Sequence, residues 1–216
     1  MTLTLFTQLL AALSIIFTVL AFARRLRLFN ALARPVDRSE PKGSPQAGGV
    51  YALTFGMAPW AKESTRRHWA AYLRGIGFHA ATFLGLAILL LSPWLESIPE
   101  ALRLGLAAAT AVGALLGFAG FAARFVERNL KSLSTPDDYF AVLLVSLFLA
   151  ATTAATLNLA LLPAFYLLSA VMLVYTPLGK IRHCIYYAYS RIFFGDSVGR
   201  RAILPHGSMP HGRPVR

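Results

Sequence analysis

The stretch YFAVLLVSLFLAATTAATLNLALLPAFYLLSAVMLVYTP, residues 139–177, decides the fold class. It contains no Asp, Glu, Lys or Arg, and its apolar run is interrupted at Asn158 and Pro163. The hydrocarbon core of a bilayer, roughly 30 Å thick, is crossed by about 20 apolar residues of α-helix. The stretch therefore predicts two membrane-spanning helices, 139–157 and 159–177, joined by a tight turn at Asn158.

Three earlier stretches, 3–23, 72–95 and 101–125, meet the same criterion of length and apolar composition. The whole chain agrees with them, because 56% of its 216 residues are hydrophobic and 14% are charged. Soluble domains average about 25% charged residues, so disorder, a coiled coil and a water-soluble enzyme are all disfavoured. The predicted fold class is all-α, a five-helix transmembrane bundle over 1–195 with a polar tail over 196–216.

The basic residues give the bundle a predicted orientation. Five spans place the segments 24–74, 124–138 and 178–216 on one side of the membrane, and these hold 20 of the 21 Lys and Arg residues. Because loops rich in Lys and Arg stay in the cytoplasm, we expect the N-terminus outside and the C-terminus in the cytoplasm. Arg103 alone lies on the outer side. Since the basic residues lie between apolar runs, a nucleic-acid partner is not expected.

The largest predicted cytoplasmic segment is the loop 24–71. Its part 34–49 is rich in Pro, Gly and Ser and predicts irregular structure. Its part 50–69 mixes aromatic with basic residues, a composition that fits both contact with lipid headgroups and a docking surface for another protein. Residues 180–194, also aromatic and basic, predict a helix along the inner membrane surface.

Polar side chains at membrane depth are the first place to look for chemistry, because they are costly there. The spans hold no chain of Asp or Glu and no Lys or Arg near a midplane, and the sequence shows no internal repeat, so a proton pump or transporter is disfavoured. Two histidines remain: His79 inside the cytoplasmic end of the second span, and His183 just beyond the cytoplasmic end of the fifth.

These two histidines are predicted to come to similar depth, as the two axial ligands of a b-type haem must. Gly75 and Gly179 each lie four residues before a histidine, where a missing side chain leaves room for a porphyrin edge. Haem propionates would then meet basic residues at the inner interface. The candidates for that role are Arg74, Lys180, Arg182 and Arg191.

The same residues also have simpler interpretations. A histidine near a helix end often meets headgroups or a backbone carbonyl, and either one of the pair fits that description. His68, His206 and His211 are expected to be solvated, with His68 as an alternative ligand. Cys184 is expected to be a packed thiol, and as the only cysteine it excludes an iron–sulfur cluster held by this chain alone.

Three motifs make residues 70–195 resemble a family of membrane haem b subunits. GIGFHAATFLGLAILLLSP at 75–93 and YTPLGKIRH at 175–183 are similar to the gamma subunit of respiratory nitrate reductase. LSTPDDYFAVLL at 133–144 resembles the related subunits of heterodisulfide-reductase-like and dissimilatory-sulfite-reductase-associated complexes. The resemblance implies a cytochrome b in the bacterial inner membrane that carries electrons between the quinone pool and a cytoplasmic iron–sulfur partner.

The family pattern also predicts how many haems are bound. The nitrate reductase relatives hold two haems with two histidines in each of the second and fifth spans, and His79 and His183 match the inner pair. The outer pair would fall at Leu89 and Phe165, which cannot bind iron, so the resemblance implies a single haem. Arg103 stands where relatives bind quinol, although an Arg at an interface also fits simple contact with headgroups.

Two functions therefore remain open on the sequence. The first is a cytochrome b subunit with one haem b and a quinone as its redox partner in the membrane. The second is a non-redox membrane anchor or assembly scaffold, in which the histidines are incidental and the segment 24–74 docks a cytoplasmic complex.

The charge distribution makes a prediction about topology. Reporter fusions after Arg38 and after Arg216 should both read cytoplasmic, and a fusion near Glu96 should read the opposite side, because 20 of the 21 basic residues lie on one side of a five-span chain. Opposite readings at 38 and 216 would contradict the count of five spans.

Overall fold

The protein is described by a computed structural model that covers residues 2–32, 38, 40–58, 60, 63 and 67–203. These residues form helices and no β-strand, which confirms the all-α prediction. Short 3-10 turns lie at Phe55–Met57, Ser92–Ser97, Leu159–Leu161 and Lys180–Arg182. The α-helices are α1 (Leu3–Ala31), α2 (Pro45–Leu53), α3 (Trp69–Leu91), α4 (Glu100–Val126), α5 (Arg128–Leu133), α6 (Pro136–Leu157), α7 (Leu162–Tyr175) and α8 (His183–Arg200).

Four to five segments of the described chain can cross a membrane by length and composition. Four do so alone: Leu3–Ala31, Trp69–Ser97, Glu100–Val126 and Pro136–Leu157. Helix α7 has only 14 residues, about 21 Å of helix, and meets the criterion only together with Lys180–Arg200 beyond a bend. By length and composition, these helices are compatible with a multi-pass membrane protein. The count of five and the side of each terminus stay predictions.

Helix α1 is longer than the sequence suggested. The predicted first span ended at residue 23 and was followed by a loop, whereas the helix continues through Arg24, Arg25 and Arg27 to Ala31. Its 29 residues make about 43 Å of helix, more than the hydrocarbon core requires. The reason is local, because Arg and Leu are good helix formers and no Gly or Pro occurs before residue 35.

The chain folds as two compact units. The first consists of Met1–Arg25 and Ala70–Arg182, and the second of Leu26–Trp69 and His183–Arg216. The first unit thus contains nearly all of the candidate spans, while the second contains α2, α8 and the last residues of α1.

The first unit is held together by close approach of helices at small residues. A Cβ added at Gly113 of α4 would overlap the side chain of Ala81 of α3, and one added at Gly117 would overlap Ser146 of α6. Beside these contacts, Phe148 and other large side chains are fully buried in one cluster. Small residues let helix backbones come close, which is the main source of helix association in lipid.

Buried hydroxyls of the first unit are satisfied within their own helices. Nine of the ten donate to the carbonyl four residues earlier, at 2.7–3.0 Å, and Ser92 donates to the carbonyl of Leu89 at 2.6 Å. Two of them also bond to a second helix: Thr110 shares a 2.9 Å bond with Thr153, and Thr18 donates to the carbonyl of Leu173 at 2.7 Å. The ten hydroxyl residues are Thr7, Ser14, Thr18, Ser92, Thr110, Ser146, Thr152, Thr156, Ser169 and Thr176.

The second unit is built on the contact of α2 with α8. Glycines lie on both sides, and a Cβ added at Gly48, Gly195 or Gly199 would overlap backbone atoms of the opposite helix. Backbone amides of Lys42 and Gly43 also donate to the carbonyl of Arg200, at 2.9 and 3.1 Å. Because only glycine permits this separation, the backbones themselves form the interface.

Two sequence predictions about the second unit are corrected by these helices. Residues 45–49 were expected to be irregular, but Ser44 and Pro45 begin a helix, since the Ser44 hydroxyl accepts from the amide of Ala47 at 3.3 Å and Pro is favourable at the first helical position. The glycines that suggested a loop serve the contact with α8. That helix continues to Arg200, past residue 196 where a tail was expected; residues 33–37, 39 and 204–216 lie outside the described residues.

The packing of Gly113 leads to a prediction about stability. Gly113→Leu should lower the free energy of unfolding by about 1–3 kcal/mol, because the added side chain must displace α3 or adopt a strained rotamer. Gly105→Leu is the matched control on the same helix, since a Cβ there meets nothing within 4 Å. Unfolding titrations in mixed micelles compare the two variants, and equal stabilities would contradict the close contact.

Candidate functional site

His79 is the eleventh residue of α3, and its side chain is exposed. Its Nδ1 is 2.7 Å from the backbone carbonyl oxygen of Gly75, one turn earlier. A carbonyl oxygen only accepts, so Nδ1 must carry the proton and donate. In the neutral imidazole the lone pair is then on Nε2, which is the usual arrangement of a histidine that binds a metal.

The surroundings of His79 are strongly apolar. It is the only ionisable residue between Arg74 and Glu96, a stretch that includes most of the candidate span Trp69–Ser97. The ring of Phe78 lies edge-on to the imidazole, with the ring centroids 6.0 Å apart. A polar ring exposed on the surface of such a helix is costly in hydrocarbon, and a ligand bound at Nε2 would offset that cost.

His183 is the first residue of α8 and is exposed. It belongs to the second unit, whereas His79 belongs to the first, so each histidine is described within its own unit and their pairing stays a prediction. Cys184 beside it is exposed with a free thiol, and the expectation of a packed thiol is wrong, because the side chain lies on the outer surface at the first turn of the helix.

The two glycines of the predicted haem site differ. Beside Gly75, an added Cβ would meet no atom within 4 Å, so the surface of α3 is open there. Beside Gly179, an added Cβ would overlap the phenol ring of Tyr175. The space beside Gly179 that was predicted to hold a porphyrin edge is therefore filled by the Tyr175 side chain.

The predicted propionate-binding residues have partners in the protein. Arg74 lies 3.9 Å from the carboxylate of Glu127, and Lys180 bonds to Asp138 at 3.0 Å. Arg182 donates to the carbonyl of Leu178 at 3.4 Å. Arg191, which was expected near the same interface, instead donates to backbone carbonyls of the second unit.

A polar cluster joins the start of α6 to the end of α7, and the sequence analysis did not identify it. Asp138 accepts from the amide and the hydroxyl of Thr135, both at 2.8 Å, and forms a capping box. The hydroxyl of Tyr175 donates to the carboxylate of Asp137. The Thr-x-x-Asp pattern at 135–138 was the available signal. This cluster fixes the chain immediately before the Lys180–Arg182 turn.

The positions of the absent outer histidines are filled with hydrocarbon. Leu89 is 5% exposed and Phe165 is completely buried. The rings of Phe165 and Phe148 are stacked, with centroids 5.9 Å apart. Both positions thus belong to the packed core of the first unit.

The remaining candidates are distributed over both units. His68 is exposed in the second unit, and His206 and His211 lie outside the described residues. Arg103, in the first turn of α4, is half-buried, and its Nε has no hydrogen-bond partner among the described residues. Within the same part of the chain, no three His, Cys, Asp or Glu side chains are grouped closely enough to hold a metal ion; an axial pair of histidines needs no such group.

Neither a protein-family model, nor a curated protein, nor a solved structure matches this chain. The resemblance to haem b subunits accordingly stays a prediction from the motifs.

The capping box predicts unequal effects for two residues that contact each other. Asp138→Ala should lower the free energy of unfolding by about 1 kcal/mol, because the amide and hydroxyl of Thr135 lose their acceptor. Lys180→Ala should cost less than about 1 kcal/mol, because the Lys180 side chain is 48% exposed and its ion pair is screened. Unfolding titrations of both variants give the comparison, and a larger loss for Lys180→Ala would contradict it.

Proposed function

We propose that the protein is a membrane cytochrome b subunit that holds a single b-type haem through His79 and His183. The observation that carries the proposal is the 2.7 Å contact between Nδ1 of His79 and the carbonyl oxygen of Gly75, inside an apolar candidate span. It fixes the imidazole plane and, in the neutral ring, places on Nε2 the lone pair that would coordinate iron. Gly75 adds open space one turn away.

The haem would supply one-electron transfer, and this chain's residues would hold it and set its surroundings. The Nδ1–H bond to Gly75 makes Nε2 of His79 a better electron donor. The apolar side chains of α3 exclude water and lower the local dielectric. Arg74, Lys180 and Arg182 carry the positive charge that would bind the propionates. Their present partners are Glu127, Asp138 and the carbonyl of Leu178, respectively, and the propionates would replace these partners or bind beside them.

A single haem is supported by the core of the first unit. A second haem would need ligands at positions 89 and 165, and the side chains there are Leu89 and Phe165, buried and in contact with other core residues. Room for a second macrocycle would require repacking of the Phe165–Phe148 stack.

The partners of the proposed subunit follow from what the chain does not contain. With Cys184 as its only cysteine, it cannot ligate an iron–sulfur cluster by itself. A cytoplasmic iron–sulfur subunit would exchange electrons with the haem, and a quinone in the bacterial inner membrane would be the other redox partner. Arg103, with its unpartnered Nε, is the residue of α4 available to a quinone or a headgroup.

A second candidate function is a non-redox anchor or assembly scaffold for a cytoplasmic complex. It is favoured by the contacts of Gly179 and Lys180, because Tyr175 fills the space beside the glycine and Asp138 neutralises the lysine. In that case the Nδ1–H bond of His79 serves only to satisfy a polar side chain within its own helix.

Haem content of the purified protein tests the proposal. A reduced-minus-oxidised spectrum and a pyridine haemochrome assay should give about one b-type haem per chain, and His79→Ala and His183→Ala should each abolish it, because each removes one of two axial ligands. His68→Ala is the matched control and should retain the haem. Haem-free wild-type protein from haem-replete cells would favour the scaffold, and full haem content in His183→Ala would contradict the ligand pair.

Gly75 gives the same assay a second arm. Gly75→Leu fills the open space beside His79 and should lower haem content, although a Cβ added at Gly75 meets no atom of the described residues within 4 Å. Gly105→Leu, at an equally open glycine of α4, should leave haem content unchanged. Equal haem content in the two variants would show that the porphyrin does not lie over Gly75.

A further inference from the structure

The outer side of α2 carries a set of exposed apolar residues. Gly48 and Ala52 face α8 and are buried, which turns Val50 and Leu53 away from that helix. We call these two residues, together with the exposed Phe55 and Trp60 of the segment that follows, the α2 apolar surface. The exposed fractions are 62% for Val50, 47% for Leu53, 63% for Phe55 and 69% for Trp60.

Polar groups beside this surface are already satisfied. The hydroxyl and the amide of Thr54 both donate to the carbonyl of Val50, at 2.7 and 3.0 Å. The guanidinium of Arg191 donates to the carbonyls of Ala52 and Gly56, at 2.5–3.1 Å. Carbonyls at the end of a helix usually require water. Because Arg191 already donates to these carbonyls, transfer of the end of α2 from water to a lipid environment costs little free energy.

The net charge of the second unit indicates that the surface it binds is negatively charged. Its two segments, 26–69 and 183–216, contain twelve Lys and Arg against four Asp and Glu, a net charge of +8. Aromatic side chains together with excess positive charge are the composition of protein surfaces that bind anionic lipid headgroups. An acidic protein would match the charge as well, but the α2 apolar surface presents saturated hydrocarbon and aromatic rings, with the indole N–H of Trp60 as its one polar side-chain group.

Chain connectivity links the second unit to helices that are candidate membrane spans. It is joined covalently to the first unit at residues 25–26, 69–70 and 182–183. The first of these junctions lies within α1 and the second at the start of α3, and both helices are candidate spans. Because the second unit is tethered to candidate spans in this way, its effective concentration at a lipid surface is high, whatever other partner it has.

We propose that the α2 apolar surface inserts at the boundary between headgroups and acyl chains of an anionic phospholipid leaflet. The positive charge of the second unit attracts the headgroups, while Val50, Leu53, Phe55 and Trp60 enter the apolar layer beneath them. This interaction is independent of haem binding, and it assigns residues 50–60 to lipid instead of a protein partner.

Spin labels on the full-length protein in nanodiscs test the proposal. Cys184→Ser removes the only native thiol, and Leu53→Cys then carries a nitroxide on the α2 apolar surface. Glu40→Cys is the control, because position 40 is exposed in the same unit and lies outside the α2 apolar surface. Discs of phosphatidylcholine alone are compared with discs that contain phosphatidylcholine and phosphatidylglycerol in equal parts.

The label at 53 should be more accessible to oxygen than to a water-soluble nickel chelate, and this ratio should rise when phosphatidylglycerol is added. The label at 40 should show the reverse preference. Nickel accessibility at 53 equal to that at 40, or a ratio that does not respond to phosphatidylglycerol, would overturn the proposal. Exclusion of both reagents from the label at 53 would also overturn the proposal. If that exclusion comes with dipolar coupling between labels, a second copy of the chain covers the surface. If it occurs only in native membranes, a protein partner covers it.

A second measurement does not depend on Leu53→Cys. In a Trp69→Phe/Trp94→Phe background, Trp60 is the only tryptophan. Its fluorescence should be quenched by lipids brominated high on the acyl chain, and more strongly in discs that contain phosphatidylglycerol. Quenching by aqueous iodide instead would overturn the proposal.

Discussion

The close approach of helices at glycine and alanine is the constraint on which the first unit depends. Among lipid tails, apolar side chains gain nothing by leaving the solvent, so helices associate through van der Waals contact and a few hydrogen bonds. Gly113 against Ala81 and Gly117 against Ser146 provide the contact, and the Thr110–Thr153 and Thr18–Leu173 bonds add directional links. Phe148, Phe165 and Leu89 are buried in the core of the same unit.

Much of this architecture could be predicted from apolar length alone, because a helix that crosses hydrocarbon must be long and nearly free of charge. What length could not predict is where tertiary contacts override local signals. Gly48 and Gly49 indicated a loop, yet the contact of α2 with α8 requires a residue without a side chain at Gly48, and Ser44 and Pro45 start the helix. Similarly, α7 was expected to span by itself and is shorter than a hydrocarbon core.

The candidate site shows the same limit. The spacing of Gly75 and His79 was recognisable in the sequence, but its structural meaning includes a carbonyl acceptor as well as open space. For Gly179 and His183 the identical spacing has another basis, because Tyr175 occupies the space beside the glycine. A four-residue interval brings two positions to one face only within a helix, and Gly179 lies in the turn that precedes Lys180–Arg182, whereas His183 begins α8.

The hydroxyls buried in the first unit bear on how the chain enters a bilayer. Ser146, Thr152, Thr156 and Ser169 each donate to a carbonyl of their own helix, so none of them depends on a neighbouring helix to be stable in hydrocarbon. Helices α6 and α7 can therefore leave the translocon singly, with these four donors already satisfied. For these hydroxyls, assembly has only to exchange lipid contacts for protein contacts, in whatever order the two helices emerge.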